Sequence, residues 1–347
     1  SLSHPAERML RVARSFCTAS SSAPHRANIG FIGVGTMGGP MALNVLKRHP
    51  GLVVFDLDKS LPVLDELRRA GASVASDIKD MGGCDQVVLC LPDSGAVEAL
   101  LGIGEPKSGS ASPSHLGHVL QRDCLVIDCS TTTPDTSKKA AAHLEALGAG
   151  GRFIDAPVTG EKRRAEDGTL TIMVGGDRRD YNAALPVLQS MSQGEPVFMG
   201  CNGNGQIAKA MNNCLYNISC AAMAEILTLA AKSGLDTAAL SKVVSGGSGQ
   251  SFGFDKFSGL VHERKFEAPQ WGYPMESAFK DMQVVATIAS SHGVKDDLGV
   301  IAAATSTYEE ALKMGFQRQH KGAMTKVIEE KLGVTVQHNT NSELVIE

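Results

Sequence analysis

The chain has 347 residues, 43% of them hydrophobic and 20% charged, the balance of a soluble globular protein long enough for two domains. A formal charge of -4 argues against a nucleic-acid binder, which is usually basic, and no apolar run approaches the ~18 residues that would suggest a membrane partner. The eight cysteines are scattered without a C-x-x-C pair, the pattern of buried free thiols in a reducing compartment rather than of a disulfide framework. His115 and His118 lie in a Gly/Ser loop without partner ligands, so no metal site is expected.

Residues 1–26 differ from the rest in composition. Arg8, Arg11, Arg14 and Ser15 share one helical side, while Met9, Leu10, Ala13, Phe16 and Cys17 take the other, with Glu7 the lone acid. An amphipathic, Arg- and Ser-rich, acid-poor leader reads as a mitochondrial transit peptide, and hence a matrix location. A disordered tail is the alternative.

The apolar run at 29–32 reads as a buried strand. Gly33-x-Gly35-x-x-Gly38 follows, then a helical run from Met41. Strand, glycine turn and helix make the context of a dinucleotide fingerprint. Gly33 allows the tight turn, Gly35 lets a pyrophosphate approach the backbone, and Gly38 lets helix and strand pack closely. Thr36 and Met37 complete the loop, whose helix N-terminus faces the phosphate charge. A second strand at 52–55 ends in Asp56, where a carboxylate would hydrogen-bond the adenosine ribose and repel a 2′-phosphate, favouring NAD over NADP.

Further along, 61–70 reads as a helix stopped by Gly71, and 86–91 as a strand running into a loop at Pro92. Strand ends face the cofactor in a doubly wound sheet, which places Leu91 and Pro92 to line it. Residues 102–117 read as a flexible loop. The strand at 124–129 ends in a hydroxyl cluster. That cluster either caps the next helix or turns Thr131 toward a ligand. Strands at 153–159 and 170–176 follow, and 186–191 with 196–199 finish a first domain at 28–200. From residue 203 helical periodicity dominates: one long helix at 206–232, then helices at 237–244, 279–292, 299–314 and 324–332, with a loose tail at 334–347. The fold expected is α/β, a Rossmann-type doubly wound sheet joined by the long helix to an all-α domain at 203–333.

Lys209 and Asn213 are four residues apart on that helix and share a face. A lysine beside a nicotinamide cation is disfavoured in its charged form, so its amine can take a proton from a substrate hydroxyl. An arbitrary helix lysine is more often simply solvated.

Four stretches together resemble the β-hydroxyacid dehydrogenase family, most closely the members that act on 3-hydroxyisobutyrate. They are 30–39; Asp155-Ala156-Pro157-Val158-Thr159-Gly160 with 168–173; 205–213; and Lys280-Asp281. The resemblance implies a Rossmann domain followed by a helical one, with Lys209 as general acid/base and Asn213 holding Lys209 or the substrate oxygen. It implies that Thr159 and Gly160 match a Ser-Gly-Gly turn that holds the substrate carboxylate. Thr131 matches a threonine near cofactor and substrate, Lys280 a cofactor-contacting lysine, and Asp281 its cleft-closing neighbour. Tyr273, before Pro274, either walls the substrate pocket or belongs to the core. One departure stands out: Glu161 occupies the third glycine position, followed by Lys162, Arg163 and Arg164. The expectation is that Glu161 points away and that the basic trio offsets its charge.

The activity implied is NAD-dependent oxidation of a small 3-hydroxy acid, 3-hydroxyisobutyrate foremost, to methylmalonate semialdehyde, by a homo-oligomer (dimer or tetramer). A reductase of tartronate, glyoxylate or succinate semialdehyde and a non-catalytic dehydrogenase-like scaffold are the alternatives. The lysine counts against the scaffold.

Overall fold

The computed structural model describes residues 28–104, 115–147, 151–268 and 272–337; the leader expected at 1–26 lies outside them. Strands β1 (Ile29–Ile32), β2 (Val53–Phe55), β3 (Ser73–Val74), β4 (Gln86–Leu89), β5 (Leu125–Asp128) and β6 (Arg152–Asp155) are parallel, in the order β3-β2-β1-β4-β5-β6. The order reverses between β1 and β4, the switch point where open α/β sheets bind ligands. The connecting helices are α1 (Gly38–Arg48), α2 (Pro62–Arg69), α3 (Ser94–Leu101), α4 (Leu116–Val119) and α5 (Pro134–Ala146).

The strands alternate between two cores. Ile29, Phe31, Val88, Leu125 and Ile127 pack on one face, and Ile32, Val87, Leu89 and Val126 on the other. A sheet covered on both faces needs such runs, apolar throughout rather than at every second residue. Beyond β6 come β7 (Val158–Thr159), α6 (Glu161–Glu166), β8 (Thr171–Gly175), α7 (Arg178–Leu188) and β9 (Val197–Gly200). β8 is antiparallel to β6 and β7, and β9 is parallel to β8.

The second half is helical: α8 (Asn204–Lys232), α9 (Thr237–Gly246), α10 (Phe252–His262), α11 (Met275–Ser291), α12 (Gly299–Lys313) and α13 (Met324–Leu332). Its own core gathers Leu227, Phe257, Met282, Tyr308 and Val327. At 29 residues α8 is about 44 Å long. By length and composition α8 is apolar enough to cross a bilayer, which corrects the reading that no run approaches that size. Its buried side chains, Cys220, Ala224 and Leu227 among them, are the centre of the helical core.

Five helices were not legible, among them α4, which begins inside the loop expected at 102–117. α3 starts at Asp93, whose side chain accepts from Ala96 N–H; α7 starts at Asp177, which accepts from Arg179 N–H, and Pro186 inside it hid its pattern. α10 is masked by its glycines, and α6 by its charges. The loop expected at 102–117 ends early, because Leu116 is a fully buried core residue; 105–114 lie outside the described residues. The tail is not loose at its start: Val336 is buried, and its N–H donates to Glu329 while its carbonyl accepts from Arg264. Residues 338–347 lie outside the described residues.

Candidate active site

The glycine loop leaves β1 at Gly33, whose N–H donates to Phe55 O at 2.9 Å and whose φ is +88°. A Cβ on Gly38 would sit 1.9 Å from Gly33 O, so helix and loop touch backbone to backbone there. A Cβ on Gly35 would meet nothing within 4 Å. Gly35 therefore borders open space, as a residue under a pyrophosphate must. The N-terminus of α1 carries no side-chain cap and no acid in its first turn, which leaves its N–H groups and dipole for an anion. Asp56 closes the loop: Oδ2 accepts from Val34 N at 2.8 Å and Oδ1 from Asp58 N at 3.0 Å. These residues fit a nicotinamide dinucleotide. Leu91 is anchored beside them, its N–H donating to Ser130 Oγ at 2.8 Å.

The long helix is clamped to the sheet by two groups that sequence reasoning passed over. Asp155, buried at the end of β6, accepts from Gly203 N at 2.6 Å and from Gln206 N at 3.1 Å, which caps the helix. Burial pushes its carboxyl up to about 6 against the pull of those N–H groups. Gln206 donates to Ser130 O at 2.8 Å and accepts from Thr132 N at 3.1 Å. This grip on both sides of Thr131 sets Lys209, about one turn later, beside the strand end. Thr131, Lys209, Asn213 and Asp281 line one recess of about 10 Å³.

Lys209 is half-buried, and desolvation lowers its pKa below the ordinary lysine value, with Asp281 and Glu161 acting in opposition. Asn213 is engaged with Asp281 and Asn212. Its Nδ2 donates to Asp281 Oδ2 at 2.9 Å, and its Oδ1 accepts from Asn212 at 3.2 Å. Asn212, unnoticed in the sequence, also donates to Thr159 Oγ1 at 3.5 Å. Burial raises the Asp281 pKa, opposed first by the Asn213 hydrogen bond and then by Lys209.

Glu161 corrects the sequence reading. Its side chain faces the cleft and pairs with Lys256 of α10, across the divide between the two halves. The basic trio is occupied elsewhere: Lys162 pairs with Glu166 at 3.3 Å, Arg163 lies 3.9 Å from Asp167, and Arg164 donates to Gln193. Glu161 also takes φ 59°, where glycine is favoured, so its backbone is strained at this position.

The residues expected to bind cofactor or substrate or to carry the chemistry line a single cleft of about 1790 Å³, running from Asp56 past Gly35, Met37, Pro92 and Thr131 to Lys209 and Asp281. Tyr273 and Lys280 stand on its exposed rim. Lys321 also lines it and was missed, because nothing in its surroundings in the chain marks a site.

A Rossmann sheet, an anion-ready glycine loop and a desolvated lysine at the domain junction define a nicotinamide-dependent oxidoreductase. Residues 28–205 match the family model for the NAD binding domain of 6-phosphogluconate dehydrogenase, and 203–328 match the NAD-binding model of NADP-dependent 3-hydroxyisobutyrate dehydrogenase. The chain belongs to the β-hydroxyacid dehydrogenase family. It is 36% identical over 252 residues to mitochondrial 3-hydroxyisobutyrate dehydrogenase of Mus musculus, covering 70% of each chain. It is 30% identical over 310 residues to 2-(hydroxymethyl)glutarate dehydrogenase of Eubacterium barkeri, covering 89% of this chain and 97% of that one. In fold it is similar to the solved 3-hydroxyisobutyrate dehydrogenase of Mycobacterium tuberculosis with L-serine, at TM-score 0.73 and 24% identity over 87% of this chain and 99% of that one.

Proposed function

We propose that this protein oxidises a small 3-hydroxy acid with NAD, 3-hydroxyisobutyrate to methylmalonate semialdehyde foremost, as a step of valine breakdown in the mitochondrial matrix. The observation that carries the reading is Lys209: a lysine desolvated at the sheet's C-terminal edge, in one recess with Thr131, Asn213 and Asp281. The bound dinucleotide supplies the hydride acceptor. Lys209, as the neutral amine, accepts the hydroxyl proton while the hydride leaves the same carbon; in reverse its ammonium returns the proton. Asn213 fixes Asp281, whose negative charge favours the ammonium form when the proton arrives. Thr159 offers a hydroxyl to the substrate, and Lys280, exposed on the rim, contacts the cofactor. Asp56, held by Val34 N–H, favours NAD by repelling a 2′-phosphate. The location is supported by the Arg-rich leader and by the mitochondrial name of the mouse relative.

The test is reduction of NAD or NADP by 3-hydroxyisobutyrate, 3-hydroxypropanoate, L-serine and 2-(hydroxymethyl)glutarate, with Lys209→Met beside wild type. Wild type is expected to prefer NAD and 3-hydroxyisobutyrate, and the variant to lose roughly 10²–10⁴-fold in kcat, the usual worth of a general base. Equal turnover by both proteins removes the proton-transfer role.

A further inference from the structure

Proton transfer leaves one cation of the cleft without a task. Lys321 begins the short 3-10 helix Lys321–Ala323 between α12 and α13 and is only 5% exposed, yet its side chain lines the cleft. Its Nζ stands 3.7 Å from the centre of the Tyr216 ring. Among the described residues no carboxylate lies within ion-pair distance of it. An ammonium buried without a counterion is costly, and that cost is offset when an anion arrives.

The support beneath Lys321 is rigid. Gly322 N–H donates to His320 Nδ1 at 3.1 Å, so the imidazole hydrogen is on Nε2, which donates to Lys265 O at 2.6 Å. The fully buried His320 ring stacks on Phe257 with centroids 4.8 Å apart, and Phe257 stacks on Tyr216 at 6.4 Å, both pairs 14° from parallel. A column of three rings thus fixes the backbone at one end and carries the ammonium at the other.

The turn at Thr159–Gly160, where family resemblance would seat the substrate carboxylate, is followed by the Glu161 carboxylate facing the same cleft. Lys256 neutralises Glu161, which leaves Lys321 as a cation still open to an anion. We propose that Lys321 receives a carboxylate of the substrate, alongside the turn whose third position is held by the Glu161–Lys256 pair. The assignment rests on the reading of the cleft as a hydroxy-acid site. The carboxylate is either the one beside the reacting centre or a second one at the far end of a longer hydroxy-dicarboxylate.

The experiment compares Lys321→Met with wild type on 3-hydroxyisobutyrate, on its methyl ester and on 2-(hydroxymethyl)glutarate. Methionine keeps all but the last atom of the side chain's length and removes a buried unpaired charge, so the variant is expected to melt no lower than wild type. KM for the acid is expected to rise at least about tenfold while kcat changes far less, and the preference for acid over ester to collapse. A penalty confined to the dicarboxylate supports the assignment and identifies its distal group as the one held. An unchanged KM for all acids, or equal losses on acid and ester, overturns it. Calorimetric titration of the NAD-loaded proteins with the same acids separates the two readings. Acids bound by wild type and by Lys209→Met but not by Lys321→Met, without turnover in wild type, would remove the dehydrogenase reading and keep Lys321. Failure of wild type to bind any of the acids overturns the assignment.

Discussion

At the scale of single residues, the proposed reaction asks opposite protonation states of two lysines in one cleft. Burial lowers the pKa of both, that of Lys209 below its ordinary value and that of Lys321 to about 8. Lys321 is faced by Cys220, Asp281 and Glu161, which favour its charge, and by Lys209, which opposes it. With Lys209 as the proposed base, oxidation is expected to rise with pH as that amine loses its proton. Holding a carboxylate needs Lys321 charged, so KM for the acid rises as pH passes about 8. The expected kcat/KM profile for a hydroxy acid therefore has a falling limb near that pH, and the methyl ester's profile lacks it. Identical falling limbs for both would detach the limb from Lys321. Asp56 was marked by its distance from the glycine loop, whereas Lys209 was marked only by the family resemblance, because the i, i+4 pairing with Asn213 alone does not distinguish it from a solvated helix lysine. Glu161 was legible as a departure but not in its direction, because its partner Lys256 is on a helix the sequence concealed.

At the scale of elements, the glycine loop divides into positions that the fold needs and one that a ligand needs. A Cβ at Gly38 collides with the Gly33 carbonyl, whereas a Cβ at Gly35 enters empty space. Gly38→Ala is expected to lower the melting temperature by several degrees, a cost of about 1–3 kcal/mol for overpacking. Gly35→Ala is expected to leave melting of the free protein nearly unchanged and to raise KM for NAD at least about tenfold, since its methyl would occupy space meant for phosphate. Thermal melts with and without NAD read both outcomes; a Gly35→Ala protein that binds NAD normally would detach the loop from the cofactor. Strand and helix periods made the sheet and the long helix readable. They did not reveal how Asp155 and Gln206 lock that helix to the sheet, because both contacts join residues far apart in sequence.

At the scale of the whole molecule, the division into halves was legible because the apolar period changes from strand to helix after residue 203. What the period could not say is which face of α8 remains uncovered. Met211, Leu215, Ile226 and Leu229 are 40%, 70%, 48% and 55% exposed. Their spacings of 4, 11 and 3 residues are close to whole turns, so they form one stripe, about 27 Å from end to end. A stripe of this length on a helix already packed on its other faces suits a second copy of the same helix across a two-fold axis. Leu215 lies both in the stripe and in the cleft wall, so a partner there would cover one edge of the substrate site. Sedimentation is expected to give twice the 36.4 kDa of the chain, and Ile226→Lys with Leu229→Lys to give the single chain. The single-chain form is expected to keep its far-UV spectrum and to show a raised KM for substrate, because the Leu215 edge is then open to water. A wild-type protein sedimenting as one chain at micromolar concentration would leave this apolar face unexplained by self-association.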